Sequence, residues 1–163
     1  MEQITSTPSL GFSEALNRAT SKVFQFEGRS RRSEYWWTIA IVYLVSIILT
    51  PFVGFVLSIL TIPLTFRRLH DTGRSGWWWG GCAILQGIVI VLFVYDIIMA
   101  YLNAGNMYGY GDEIIWAFLL KYSLLSLLIV IYKIVLLAFC CIDSEPYEND
   151  YGESPKYIIE EES

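Results

Sequence analysis

Residues 35–66 read YWWTIAIVYLVSIILTPFVGFVLSILTIPLTF, 32 positions without one Asp, Glu, Lys, Arg or His. A membrane crossing takes about 20 largely apolar residues, so this run is either one very long helix or two short ones joined by a turn. As a single helix it would extend about 48 Å, against a hydrocarbon core of roughly 30 Å. Pro51 stands near its middle with Gly54 close behind, where a tight reversal would fall. The flanking charges decide between the two. One crossing would separate Arg29, Arg31 and Arg32 from Arg67, Arg68 and Arg74. A hairpin keeps all six in the cytoplasm, as the positive-inside rule asks. Each half is then only about 24 Å long, so the helices extend into the basic flanks or the bilayer thins around them. A re-entrant hairpin that never fully crosses would keep the same sidedness.

The remainder of the chain supports a membrane protein. Hydrophobic residues make up 55% of its 163 residues and charged residues 17%, with a mean hydropathy of +0.47; soluble domains carry about 25% charged residues. Residues 77–95 form a second uncharged run, and residues 114–142 are apolar apart from Lys121 and Lys133. Trp77, Trp78 and Trp79 form an aromatic belt at the cytoplasmic end of the third span. The link at residues 101–113 (YLNAGNMYGYGDE) has two acids and no base, which reads as an external loop. The expected architecture is all-α and polytopic: four transmembrane helices as two hairpins, both termini cytoplasmic in a bacterial inner membrane. The N-terminus lacks a positive region followed by an early apolar core, so no cleavable signal is expected. Cys82, Cys140 and Cys141 suit neither a disulfide framework nor a spaced metal-ligand set.

Four segments follow. Residues 1–11 are a flexible N-terminus and residues 12–34 a cytoplasmic amphipathic and basic segment. Residues 35–142 are the four-helix membrane domain and residues 143–163 an acidic, irregular cytoplasmic tail. In the second segment Phe12, Leu16, Ala19, Val23 and Phe26 recur every three or four residues, with Arg18 and Lys22 off that stripe. This predicts a short helix lying on the inner leaflet; the competing reading is a helix packed against the bundle. The net charge of −5 is concentrated in the tail.

The densest polar cluster is Arg67-Arg68-Leu69-His70-Asp71-Thr72-Gly73-Arg74-Ser75-Gly76. With Arg29, Arg31 and Arg32 it builds a rim of guanidinium groups beside Trp36 and Trp77. Planar guanidinium forks match phosphate oxygens, so anionic phospholipid is the expected partner. The plainer reading is that these arginines only fix topology. His70 and Asp71 are too few ligands for a metal centre, and Asp71 can instead pair with Arg68, Arg74 or Arg32 to hold the loop. No catalytic residue, metal or cofactor is expected, and nothing resembles a nucleic-acid module. Asp96, Lys121 and Lys133 lie within spans, where ionisable groups are costly and often functional. Asp96 and Lys121 fall at similar depth and can pair; Lys133 is deeper in the fourth span.

These residues resemble the YhaH-like family of small bacterial inner-membrane proteins, known as domain of unknown function 805. The resemblance rests on three blocks. Residues 26–36, FEGRSRRSEYW, are similar to the family's F-x-G-R-x-x-R-x-x-Y-W. The second and most specific block is RRLHDTGRSGWW at residues 67–78. Residues 149–155, NDYGESP, are similar to its C-terminal N-x-Y-G-x-x-P. Two departures matter: the link between the first two spans is nearly absent here, and the region between Trp78 and Asp143 is longer than in compact members. The resemblance implies fold and location but no reaction, substrate or cofactor. The expected function is therefore non-enzymatic, with the arginine-rich face binding anionic lipid or a membrane-protein partner, including a second copy. The alternatives are a small transporter or channel component using Asp96, Lys121 and Lys133, and a membrane-embedded enzyme acting on a lipid phosphate near His70.

Overall fold

The computed structural model describes residues 2–103 and 111–161; most of the expected external loop lies outside that range. A short strand β1 (Glu2–Ser6) leads to helix α1 (Phe12–Ser21), then α2 (Arg32–Ile48), α3 (Pro51–Leu60) and α4 (Ile62–His70). Two long helices follow, α5 (Trp77–Asn103) and α6 (Gly111–Cys141), and strand β2 (Tyr157–Glu161) closes the described chain. Among the described residues, three stretches are long and apolar enough to cross a membrane: Phe52–His70, Trp77–Asn103 and Ile115–Cys141. The protein is thus a mostly helical membrane protein.

The apolar run at residues 35–66 breaks where proline allows. Helix α2 ends at Ile48, and Pro51 opens α3 at a position where its missing N–H costs nothing. The Thr50 hydroxyl caps α3 by accepting from Val53 N–H at 3.3 Å. A Cβ added to Gly54 would come within 2.6 Å of the Ser46 hydroxyl, so glycine permits the close approach of α3 to α2. Pro63, near the start of α4, interrupts the ladder again between α3 and α4. By Arg67 the chain has returned to where α2 began, because Arg67 lies 3.5 Å from Glu34 and its carbonyl accepts from Ser30 N–H.

The chain divides into two units. The first comprises Met1–Trp79 with Ala138–Ser163 and the second Gly80–Leu137, so the expected membrane domain at 35–142 is shared between them. The first has a small apolar core of Ala19, Tyr35, Leu64 and Cys140, with Trp36 and Ile39 against it. Its most deeply buried large side chains include Arg67, Arg68 and Asp71. In the second unit Ile90, Val91, Leu120, Leu128 and many other large apolar residues face outward. Polar groups inside and apolar groups outside are the reverse of a soluble protein, and suit a surround of lipid.

The flexible N-terminus and the irregular tail are corrected, and α1 gains a packing partner. Helix α1 buries Ala15 and Ala19, while Phe12 remains 45% exposed and sets its ring edge-on to Trp37 of α2. The helix therefore packs against the bundle through its small residues, which let it approach α2 closely. The tail is not irregular throughout, and the N-terminus is not a free arm. Strands β1 and β2 pair antiparallel, with Ile4 opposite Ile159 and Ser6 opposite Tyr157.

Candidate functional site

The last turn of α4 and the residues after it carry the RRLHDTGR block. The Thr72 hydroxyl donates to the Leu69 carbonyl at 2.9 Å. Gly73 N–H reaches His70 O and Arg74 N–H reaches Leu69 O, both at 3.0 Å. These paired bonds close a helix end around a left-handed residue, and Gly73 supplies it with φ 67°. A side chain there would also meet the Glu145 carboxylate at 2.4 Å. The tight closure leaves Asp71 facing inward.

Asp71 is fully buried and is the hub of the site. Its Oδ1 accepts from Arg29 Nε at 3.0 Å, and its Oδ2 accepts from Arg68 Nη1 and the Ser144 hydroxyl, both at 2.5 Å. Burial pushes the Asp71 carboxyl above its ordinary range, opposed by the Ser144 hydroxyl and then the Arg68 and Arg29 guanidiniums. The guanidiniums are as deeply enclosed as their partner, and buried charges persist only when paired and hydrogen-bonded.

Each arginine then satisfies carbonyls from a distant part of the chain. Arg29 donates to the carbonyls of Glu145 at 2.6 Å, Tyr147 at 2.8 Å and Gly152 at 3.1 Å. Arg68 donates to Cys140 O at 3.1 Å, Ser30 O at 3.2 Å and Ile142 O. The Cys140 and Ile142 carbonyls lie where α6 ends and would otherwise lack intrahelical donors. Arg68 therefore acts as the C-terminal cap of α6, from a position 72 residues earlier.

His70 stacks flat on Tyr151, with ring centroids 3.8 Å apart and planes 3° from parallel. Its Nδ1 lies 3.2 Å from the Gly28 carbonyl, so that nitrogen carries the proton. Its backbone carbonyl accepts from Asn149 Nδ2 at 3.0 Å. Arg31 donates to the Thr7 hydroxyl at 2.8 Å and the Thr7 carbonyl at 3.0 Å. Thr7 N–H in turn donates to Lys156 O at 2.9 Å, linking both termini to the start of α2. Lys156 pairs with Asp143 at 2.5 Å.

The expected rim of outward-pointing arginines is thus largely turned inward. Arg29, Arg31, Arg67 and Arg68 are buried. Arg74 donates to Thr72 O at 2.9 Å and sits 4.3 Å from the Phe139 ring centroid. Arg32 remains exposed and, among the described residues, has no hydrogen-bond or ion-pair partner. It lines a groove of about 470 Å³ with Ser33, Trp36, Trp37 and Ala40. Trp77 is 72% exposed. Of the residues expected to form one lipid site, the structure gathers Arg29, Arg68, His70 and Asp71 into an internal clasp and leaves Arg32 and Trp36 together at the surface. A buried, fully engaged Asp71 and a stacked His70 offer no open acid–base pair to a substrate.

In the second unit Lys121 Nζ lies 2.6 Å from Asp96 Oδ2, which also accepts from the Tyr122 hydroxyl at 2.8 Å. Lys133 is exposed on α6.

Sequence reasoning singled out neither Ser144 nor the roles of Asn149, Tyr151 and Gly152. Their signal was present in the NDYGESP block, whose Asn, Tyr and Gly each touch one of the other two blocks. Spacing alone could not have shown that, because the contacts join residues 79 to 123 positions apart.

Comparison with known proteins is consistent with this arrangement. The family model described as Protein of unknown function (DUF805) matches residues 47–153, which include the second block and most of the third. Inner membrane protein YhaH of Escherichia coli strain K12 is 34% identical over 71 residues, covering 32% of this chain and 59% of the relative. The protein of the same name from Escherichia coli O157:H7 matches to the same extent. The chain therefore spans 59% of the length of these curated relatives. No solved structure matches.

Proposed function

Because this chain belongs to the DUF805 family and resembles inner membrane proteins of Escherichia coli, we propose that it is a non-enzymatic bacterial inner-membrane protein whose cytoplasmic face binds anionic phospholipid. The observation that carries this reading is the sorting of its arginines. Arg29 and Arg68 are spent on Asp71 and on backbone carbonyls. Arg32 stays outside, in a groove walled by Trp36 and Trp37. Tryptophans favour the headgroup level of a bilayer, and a guanidinium beside them can hold phosphate in two contacts. Arg32 also opens α2, where the helix dipole is positive. The internal clasp has the complementary task of holding this face rigid.

Four crossings, with both termini in the cytoplasm, are part of the same proposal. The pairing of β1 with β2 supports an even number, because strands on opposite sides of a bilayer cannot hydrogen-bond. Helix α2, with 17 residues and about 25 Å of length, is the natural fourth beside the three longer spans.

The test compares phosphatidylglycerol and cardiolipin retained by purified wild type, Arg32→Lys and Arg32→Gln, read by native mass spectrometry. One basic residue at an anionic surface contributes about 1 kcal/mol, roughly fivefold. Arg32→Gln is expected to lose that factor, and Arg32→Lys to fall between it and wild type. Equal retention in all three would leave Arg32 as a topology anchor only.

A further inference from the structure

The second unit holds a feature that the cytoplasmic site leaves unused. The Asp96–Lys121 pair sits on the wall of an open groove of about 400 Å³, lined also by Met99, Ala100, Asn103, Ala117 and Phe118. That size falls within the range of about 300–1,000 Å³ typical of ligand sites. Asp96 lies seven residues before the end of α5 at Asn103, about 10 Å along the axis, and far from the tryptophans that open the helix. We propose that this groove binds a zwitterionic phospholipid whose ammonium carries an N–H, of the phosphatidylethanolamine type, in the leaflet at the α5 C-terminal end.

The argument is one of charge and hydrogen-bond capacity. The Lys121 and Asp96 side chains are 45% and 27% exposed, in a stretch of helix where exposed charge is costly unless partnered. Lys121 spends one of its three N–H donors on Asp96 Oδ2, which also receives the Tyr122 hydroxyl. The Tyr122 ring lies 5.3 Å from the same ammonium, and among the described residues Asp96 Oδ1 accepts no hydrogen bond. Asn103 donates through Nδ2 to Met99 O, leaving its side-chain oxygen open as an acceptor. The groove therefore offers donors and acceptors side by side, with net charge zero. A headgroup phosphate fits against Lys121, and an ammonium with N–H donors fits against Asp96 Oδ1 and the Asn103 oxygen. The acyl chains meet Met99, Ala117 and Phe118. An anionic lipid would bring phosphate to Lys121 but nothing for Asp96. A choline headgroup has positive charge but no N–H to donate.

The wild-type protein provides the first test. It is equilibrated with vesicles containing equal parts of phosphatidylethanolamine, its N-methyl and N,N-dimethyl derivatives, phosphatidylcholine and phosphatidylglycerol, all with the same acyl chains. Retained lipid is then counted by native mass spectrometry. Retention should persist while an N–H remains and fall about tenfold at phosphatidylcholine, the factor for one charge-assisted hydrogen bond. Asp96→Asn should abolish the preference over phosphatidylcholine, and the exchange of Asp96→Lys with Lys121→Asp should keep it, since a zwitterion can reverse. Retention of phosphatidylcholine equal to that of phosphatidylethanolamine would overturn the proposal. So would an Ala117→Cys protein that cross-links to a second copy in phosphatidylethanolamine bilayers, since the groove would then be covered by protein.

Discussion

Replacing Asp71 with asparagine removes one negative charge from between two enclosed guanidiniums. Arg29 and Arg68 expose 1% and 0% of their side chains, so solvent cannot take over the lost pairing. Breaking a buried ion pair by removing one partner costs about 3–5 kcal/mol. The two pairs share one carboxylate, so their losses overlap rather than add. The amide also turns a donor toward Arg68 Nη1 or the Ser144 hydroxyl, where an acceptor stood. An Asp71→Asn protein should therefore lose about 3–5 kcal/mol, a fall in Tm of roughly 6–20 °C for a chain of this size. The measurement is thermal unfolding in detergent, alongside limited proteolysis of the segment after Ile142. That segment hangs on Arg29 through three carbonyls and should become the first site of cleavage. A second variant, Arg29→Met, should expose the same segment to cleavage, because it strips the donors from those three carbonyls. A single variant as stable as wild type, with its tail still protected, would refute the clasp.

Gly73→Ala should cost about 1–2 kcal/mol, the penalty of a left-handed conformation for a residue with a side chain, since φ is 67° and the new Cβ would displace the Glu145 carboxylate; the drop in Tm measures it. The Asp143–Lys156 pair should make the terminal strands sensitive to pH. Against partial burial that would raise it, the Lys156 ammonium and Ser144 N–H hold Asp143 below its ordinary 3.8, while Asp143 and the Tyr157 hydroxyl hold Lys156 above 10.5. Asp143 then contributes above pH 3.8 and is lost as pH falls through its lowered value. Lys156 contributes fully below pH 10.5 and is lost above it. Protection of the β2 amides, taken relative to the intrinsic exchange rate at each pH, should be greatest between those limits and lose that pH dependence in Asp143→Asn. Finally, single cysteines at Ser75 and Ser154 should react with an impermeant reagent only after the membrane is opened, and one at Tyr101 without opening it. External labelling of Ser75 would end the four-crossing proposal.

Much of the helical layout was legible because bilayer thickness and charge act locally. Pro51 marked the break between α2 and α3, and matched depths paired Asp96 with Lys121. The destination of the arginines was not legible. At a membrane interface a guanidinium can reach outward to phosphate or backward to the carbonyls of a helix end, and composition is the same for both. Arg68 chose the second because α6 ends beside it, a fact of tertiary geometry. The same limit applied to α1: its apolar stripe of Phe12, Leu16, Ala19, Val23 and Phe26 did not show that the residues buried would be Ala15 and Ala19. In the tail the density of acids concealed Tyr157-Ile158-Ile159, whose strand character became evident only with Gln3, Ile4 and Thr5 opposite.

The β1–β2 ladder also sets an order of events during synthesis. Strand β1 precedes α1 and strand β2 follows α6, so no rung can form until α6 has been made. Through all that time the residues around Ile4 must stay on the side where Ile159 will arrive. On the four-crossing proposal, a helix that failed to insert would leave the two strands on opposite faces, each with an unpaired edge. The ladder therefore closes only on a correctly threaded chain.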